Sequence, residues 1–463
     1  MRPDGVYRRY QIGTEPAPDA VRLPPRFRVR VSKRRLIGLI LRELVHTRGD
    51  LPVVLSRPCV YGVFSGPVGG LAPIEERCVG CLRCTVQYPE VVQIHRNPEW
   101  DRLEDGLLAP EAVDTLLYEA RTGRVPVRGA GYRGPFGGVG WDGMWLDMSE
   151  IVRPTRDGIH GREFISTMVD IGEKPAYLCF DEAGEPVGRV PRVVSIQVPF
   201  VLDGPPAGAR SGTVAEILLR AAREIETLAI VPVDRIDGRH LGAGSRVVPL
   251  VRPDEVGRLA RLAPPVLVAL DGWEPAAYAE LGRLFPGSLR WVRVPADADV
   301  LDLARHGVRV VHLVADRDGM AGGRFVGEVI RQAHERLVDA GLREQVTLVG
   351  SGGIVMAEHV PKAIACGLDA VALDTALWVA LQARFHSVAA RGAGVGVAFP
   401  HLEVTWGVRR IRNLAASWRD QLLEVLGAMG LREVRRLRGE LGRLIFQPDL
   451  EREAFGDIEG HAG

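Results

Sequence analysis

From about residue 190 the chain alternates short apolar runs with amphipathic stretches, and this alternation limits the folds open to it. The runs fall at residues 193–198, 228–233, 246–251, 266–270, 289–294, 308–314, 346–349 and 370–373. Most are apolar along their whole length, as strands buried on both faces are. Helical patterns lie between them, for example at 213–226 and 325–340. This predicts an α/β chain whose residues 190–405 form a parallel (β/α)8 TIM barrel. An open doubly wound sheet would show the same alternation. A helical C-terminal extension is expected over 406–463, with helices at 406–427 and 431–443. Val408, Ile411, Leu414, Ala415 and Trp418 repeat at a helical period, a stripe for packing on the barrel or on a neighbouring subunit.

Ahead of the barrel stands Cys78-Val-Gly-Cys81-Leu-Arg-Cys84. Thiolates spaced C-x2-C-x2-C can close a loop over one face of an iron–sulfur cube, with Gly80 easing the turn. The bacterial ferredoxin run continues x3-C-P. Here that offset holds Tyr88-Pro89, so the proline is present without its cysteine. A 4Fe-4S cluster then needs a fourth thiolate, and Cys59 is the candidate; a 3Fe-4S cluster could use the three alone. Four cysteines would also suit zinc. Residues 1–122 therefore read as a small N-terminal iron–sulfur, ferredoxin-like module. It has an arginine- and proline-rich arm over 1–30 and helices near 33–48 and 110–121. The remaining cysteines, Cys179 and Cys366, sit in apolar settings and read as buried thiols.

Six cysteines in 463 residues, four of them clustered, are not a disulfide framework; with a cluster they point to a reducing cytoplasm. A net charge of +1 gives no field for nucleic acid or an anionic membrane. No signal peptide and no membrane-spanning apolar stretch is found. The lysines are Lys33, Lys174 and Lys362, which limits the choice of a catalytic amine.

Residues 123–189 form a lead-in to the barrel. Glycines and aromatics crowd 123–145, including Gly140, Trp141, Gly143 and Trp145. So many glycines predict a long irregular loop, and the aromatics argue that it packs. At the other end of the chain, the seventh predicted strand runs into Gly350-Ser351-Gly352-Gly353 and the eighth into Asp374-Thr375. Barrels of this class hold phosphates on the loops after strands seven and eight. Glycine lets backbone N–H groups approach phosphate oxygens, so Ser351, Gly352, Gly353, Asp374 and Thr375 are candidate cofactor-binding residues. Simple turn chemistry is the alternative. After strand six, the polar loop 315–323 reads as a lid or a long turn.

Residues 151–167 resemble the segment leading into the flavin domain of archaeal-type glutamate synthases. The stretch from Gly341-Leu342-Arg343 through Ser351-Gly352-Gly353-Ile354 to Gly367-Leu368-Asp369-Ala370 is similar to their phosphate-end repeat, and 424–433 to the helices that follow. The resemblance covers about 150–446. It implies a cytoplasmic iron–sulfur flavoprotein with FMN at the barrel mouth, its phosphate on Gly352, Gly353 and Thr375. It also implies an oxidoreductase that reduces 2-iminoglutarate, formed from 2-oxoglutarate and ammonia, to glutamate. The implied partners are that small-molecule substrate, an electron-donating reductase or ferredoxin and a separate amidotransferase subunit, in an oligomer.

The chain departs from that family at several points. Strand one, at 197–203, carries Val201-Leu202 where small polar residues are expected. No lysine falls at a strand end inside the barrel, leaving Arg239 or Arg317 as replacement cations. The loop 389–398 has no cysteine. These departures keep a second reading open, a non-flavin barrel acting as scaffold or electron-relay subunit of a larger redox complex. Arg153, Arg156, Asp157, His160, Arg162 and Glu163 either bind a dicarboxylate or flavin at the mouth or form an ordering ion-pair network. His312 reads as a satisfied core histidine; His401 and Glu403 are weak site candidates. No catalytic residue is assigned from the sequence.

Overall fold

The computed structural model describes residues 10–50, 59–103, 108–126, 138–149, 164–174, 179–187, 192–204, 211–241, 244–386, 396–399 and 401–449, with Arg452 and Gly456. The charged cluster at 153–163 lies outside these residues, as do 127–137 of the glycine-rich loop and 389–395 of the cysteine-free loop. The chain divides into two compact units. One comprises Asp19–Thr115 with Pro126–Gly134; the other holds Met1–Pro18, Leu116–Val125 and Pro135–Gly463.

The larger unit is a closed barrel of eight parallel strands. In chain order they are Phe200–Asp203, Ala229–Pro232, Val247–Val251, Leu267–Asp271, Leu289–Pro295, Val310–Val314, Thr347–Ser351 and Ala370–Leu373. Strand eight pairs with strand one, Leu373 opposite Leu202, and closes the ring. Closure excludes the open doubly wound sheet.

The expected first strand is corrected. Val193–Ile196 pairs antiparallel with Val169–Gly172 outside the barrel, and strand one begins after Pro199. The burial pattern explains the split. Along 193–196 only Ile196 is buried, whereas all four residues of Phe200–Asp203 are, as an enclosed parallel strand requires. Pro199 has no N–H to donate to a ladder.

Helices cover the barrel by burying one face each. Gly212–Ile225 starts at Ser211, whose Oγ accepts from the Val214 N–H, and buries Val214, Ile217, Leu218, Ala221, Ala222 and Ile225. The C-terminal helix Val404–Ala428 packs on it where Gly407 meets Ile217; a Cβ at Gly407 would lie 2.5 Å from Ile217 Cδ1. Its stripe of Val408, Ile411, Leu414, Ala415 and Trp418 is buried within the chain. The expected helix over 431–443 is instead two 3-10 turns, Val434–Leu437 and Leu441–Arg443, followed by the strand Leu444–Phe446. Gly439, at φ 73°, interrupts it. That strand pairs with Met144–Leu146.

In the smaller unit, Phe27–Val31 and Val92–Arg96 form an antiparallel pair. Val29, Val63, Cys78, Val91 and Val92 make its core. Among the described residues no helix is long and apolar enough to cross a membrane.

Candidate functional site

The four predicted cysteines of the smaller unit come together. Cys59, Cys78, Cys81 and Cys84 line one cavity with Val29, Tyr61, Phe64 and Ile94. Gly80, at φ 74°, lets the loop pass under Phe27: a Cβ there would lie 2.4 Å from the ring. All four are free thiols. Burial pushes Cys78 up to about 11, against a hydrogen bond from the Gly80 N–H, and the sulfurs of Cys84, Cys59 and Cys81 repel its thiolate further. Cys84 is raised in the same way, by burial first and then by Cys59 and Cys81, while the Thr85 N–H favours its thiolate. Thiols this crowded resist ionising together unless a cation joins them. The donor set fits a thiolate-ligated metal centre, because a coordinating metal ion inverts that logic. Cys366 is buried in the barrel as expected. Cys179 is exposed, which corrects the buried-thiol reading; its carbonyl accepts from the Val187 N–H beside the Phe180–Pro186 bridge.

At the mouth of the barrel, the carboxyl ends of the strands collect charged groups. Arg293 of strand five points inward and places Nη2 3.1 Å from Oδ2 of Asp203 on strand one. Asp271, beside Arg293 in register on strand four, lies 3.9 Å from Nη1. Burial raises Asp203 to about 6 despite the pull of Arg293, with Asp374 and Asp271 adding repulsion. Asp374 is raised by burial too. Burial works against the Arg293 cation, yet Asp203, Asp271 and Asp374 hold its pKa above the ordinary value. His312, next to Arg293 on strand six, is fully buried and faces Ser351 Oγ at 3.0 Å through Nε2. Its Nδ1 is buried with no partner among the described residues. Burial and then the Arg293 charge pull its pKa well down, so the ring is neutral. The expected satisfied histidine is therefore only half satisfied.

Arg293 is the residue that sequence reasoning passed over. An arginine near the carboxyl end of a parallel strand, on the same face as the buried Trp291, was the available signal. The cations named instead lie elsewhere. Arg239 pairs on the surface with Asp237, and the Arg317 guanidinium stacks 4.0 Å from the Phe385 ring centroid. Glu403 caps the C-terminal helix, accepting from the N–H groups of Thr405 and Trp406, and His401 packs its ring against Trp406.

The phosphate-end residues are brought together in part. Gly352 and Gly353 have φ of 114° and 67°. A Cβ at Gly352 would lie 2.6 Å from Ala315 Cβ, and one at Gly353 would lie 3.0 Å from Gly319 Cα. The glycines are thus demanded by the 315–319 turn packed beside them. That turn is held by Asp316, whose Oδ1 accepts from the Met320 N–H, and runs into the two-residue strands Met320–Ala321 and Arg324–Phe325. No described group accepts from the N–H of Gly352 or Gly353, so those donors are available to an anion. Ser351 is committed to His312. The Asp374 carboxylate already accepts from the Thr375 N–H, which places a negative group where a phosphate would approach.

The turn Gly140–Gly143, from the glycine-rich loop, clasps this end of the barrel. Trp141 Nε1 donates to the Gly352 carbonyl at 3.2 Å. Lys362 Nζ donates to the Trp141 carbonyl at 2.9 Å, so the lysine of the helix His359–Ala365 is structural. Asp142, Glu358 and His359 gather nearby. His359 Nδ1 accepts from the Val355 N–H, which leaves the proton on Nε2 to donate to Asp142 at 2.7 Å. That tautomer leaves no nitrogen lone pair for a metal.

The conserved region of glutamate synthase matches residues 323–432, which span strands seven and eight and the whole C-terminal helix Val404–Ala428. An archaeal-type glutamate synthase [NADPH] of Dehalococcoides mccartyi is 25% identical over 440 residues, covering 79% of this chain and 86% of that one. An archaeal glutamate synthase [NADPH] of Archaeoglobus fulgidus is 25% identical over 490 residues, covering 87% and 93%. One from Methanocaldococcus jannaschii is 35% identical over 156 residues, 32% of this chain and 30% of that one. Among solved structures, a flavocytochrome b2 with pyruvate bound aligns at a TM-score of 0.42 and 13% identity over 70% of this chain and 80% of that one. The chain is thus similar over most of its length to archaeal-type glutamate synthases, which marks it as a glutamate synthase-like oxidoreductase.

Proposed function

We propose that this glutamate synthase-like oxidoreductase is an iron–sulfur flavoprotein that forms glutamate by reducing 2-iminoglutarate, derived from 2-oxoglutarate and ammonia. The convergence of Cys59 with Cys78, Cys81 and Cys84 on one cavity carries the reading. Four thiolates at C-x2-C-x2-C plus one suit a 4Fe-4S cluster, and backbone N–H groups such as those of Gly80 and Thr85 beside the sulfurs are the donors that tune one. Electrons arrive from a reductase or ferredoxin, and ammonia is supplied free or by an amidotransferase partner.

FMN bound at the barrel mouth would supply hydride transfer to the imine carbon. The N–H groups of Gly352 and Gly353 and the hydroxyl of Thr375 would hold its phosphate, the Thr375 N–H being taken by Asp374. Ser351 serves by fixing His312 rather than by touching the phosphate, and Asp374 by facing Arg293. Arg293 supplies the cation at the mouth, held in place by Asp203 so that it is ready where negative charge develops. The neutral His312, with Nδ1 unpartnered, presents a hydrogen-bonding atom to the interior.

Anaerobic purification, with flavin, iron and sulfide quantified per chain, tests the reading. Stoichiometric FMN, iron and sulfide support it, and glutamate formed from 2-oxoglutarate and ammonia under reducing conditions completes it. Iron and sulfide without flavin, even after incubation with excess FMN, would overturn the flavoprotein. That outcome would leave the scaffold or electron-relay reading, which the neutralisation of Arg293 by Asp203 favours.

A further inference from the structure

The opposite, amino-terminal end of the barrel holds a cavity of about 80 Å3. Arg192, Arg290 and Arg309 line it, with Tyr278 and a single carboxylate, Glu173. Arg290 is the second residue of strand five and Arg309 immediately precedes strand six. Arg293 at the mouth lies three residues further along strand five, about 10 Å away, and on the opposite face of the strand. It is therefore distinct from the site at the mouth.

Each guanidinium is positioned by uncharged groups. Arg290 Nη1 donates to the Tyr278 carbonyl at 3.1 Å, and its guanidinium lies 4.1 Å from the Tyr278 ring centroid. Arg309 Nη1 donates to the Ala304 carbonyl at 2.7 Å and to that of Val308 at 3.3 Å. Arg192 Nη1 donates to the Gly287 carbonyl. None of the three forms an ion pair among the described residues. Elsewhere arginines at the barrel find carboxylates, as Arg293 and Arg343 do. Three arginines held by neutral acceptors around one hollow keep their remaining donors for something else.

The surrounding sequence accommodates this arrangement at a cost. Gly282 lies inside the helix Pro275–Leu284, where glycine is disfavoured against alanine. A Cβ at Gly282 would lie 2.7 Å from Arg290 Nη1, so the glycine makes room for the guanidinium. The Tyr278 hydroxyl donates to the Gly307 carbonyl, tying the helix to the turn before Arg309.

We propose that this cavity is a binding site for a small dianionic oxyanion, a phosphate or a short dicarboxylate, clamped by Arg290 and Arg309 with Arg192 at its open side. The hollow is of a size to take such an anion. Glu173 opposes the bound charge and weakens the site.

Thermal unfolding and titration calorimetry on the purified holoenzyme test this at fixed ionic strength. Inorganic phosphate and 2-oxoglutarate are compared with chloride. The wild type should show saturable heat and a rise in midpoint of about 2 °C or more with at least one dianion. Phosphate alone, or the dicarboxylate alone, identifies the source of the anion. R290Q/R309Q should lose the response, and Gly282→Ala should weaken it by displacing Arg290. E173Q should bind several-fold more tightly, an effect that a variant damaged in folding would not produce. No response beyond that of chloride would overturn the site. So would an unchanged response in R290Q/R309Q together with no gain in E173Q. Neither readout depends on flavin or on glutamate formation.

Discussion

Arg293 on strand five reaches through the barrel to Asp203 on strand one, with Nη2 and Oδ2 3.1 Å apart. Strands one and five face each other across an eight-stranded ring, so this pair spans the interior at the mouth. Removing the guanidinium, as in Arg293→Met, should lower kcat by about 100-fold, the order expected for a preorganised charge at a reacting centre. Arg293→Lys should recover part of it. If Arg293 only holds the barrel together, the Met variant will unfold at lower temperature and retain its kcat.

Glu119 makes stability depend on pH. It is buried and accepts from Trp418 Nε1 at 2.9 Å, Gln421 Nε2 at 2.6 Å and Ser417 Oγ at 3.1 Å. Burial outweighs these donors and raises it from 4.5 to about 7. The folded state holds this proton longer than the unfolded chain does. The resulting stabilisation is complete below pH 4.5 and is lost as pH rises through 7, roughly 3 kcal/mol in all. Wild-type urea midpoints should fall from pH 5 to pH 8, and Glu119→Gln should flatten that slope whatever its absolute stability. Asp203, raised to about 6, contributes in the same direction and remains in the variant.

Asp369 carries the opposite dependence. Arg343 and Arg438 bind it at 2.9 and 2.8 Å, and Lys174 at 3.2 Å. Burial works against its charge, but Arg343, Lys174 and Arg438 outweigh burial and hold the carboxyl well below its usual range. Its contribution is present above the ordinary aspartate pKa and is lost only in strong acid. Asp369→Asn leaves buried Arg343 without its counter-charge and should cost about 3–5 kcal/mol, read from denaturant midpoints. A loss below about 1 kcal/mol would show that Glu344 and the carbonyls of Val346 and Gly367 suffice for the two arginines.

Cys59 distinguishes a four-thiolate centre from a three-thiolate one. Cys59→Ser should lower bound iron per chain and convert the spectroscopic signature toward a three-iron or cluster-free form. Cys366→Ser, at a thiol buried in the barrel, should leave iron unchanged. Equal iron and an identical signature in Cys59→Ser would remove it from the ligand set.

The class of fold was legible because enclosed parallel strands must be apolar on both faces, and seven of the eight runs became barrel strands in place. The first run failed at Pro199. Two adjacent apolar segments look continuous in composition, but only the second is enclosed. The glycines after strand seven were legible as special positions. Their reason was not, since the close approach of Ala315 and Gly319 exists only once strands six and seven lie side by side.

The sequence by itself determined the local features: which segments are buried strands, where the thiols cluster, and which backbone positions demand glycine. Those follow from periodicity, spacing and steric limits within a few residues. The tertiary structure decided everything that depends on separation in space. It brought Cys59 to the other three cysteines, set Arg293 against Asp203 and His312 against Ser351, and gathered three arginines at the amino-terminal end of the barrel. A charge acts through distance and burial, and neither is fixed until the chain has closed on itself.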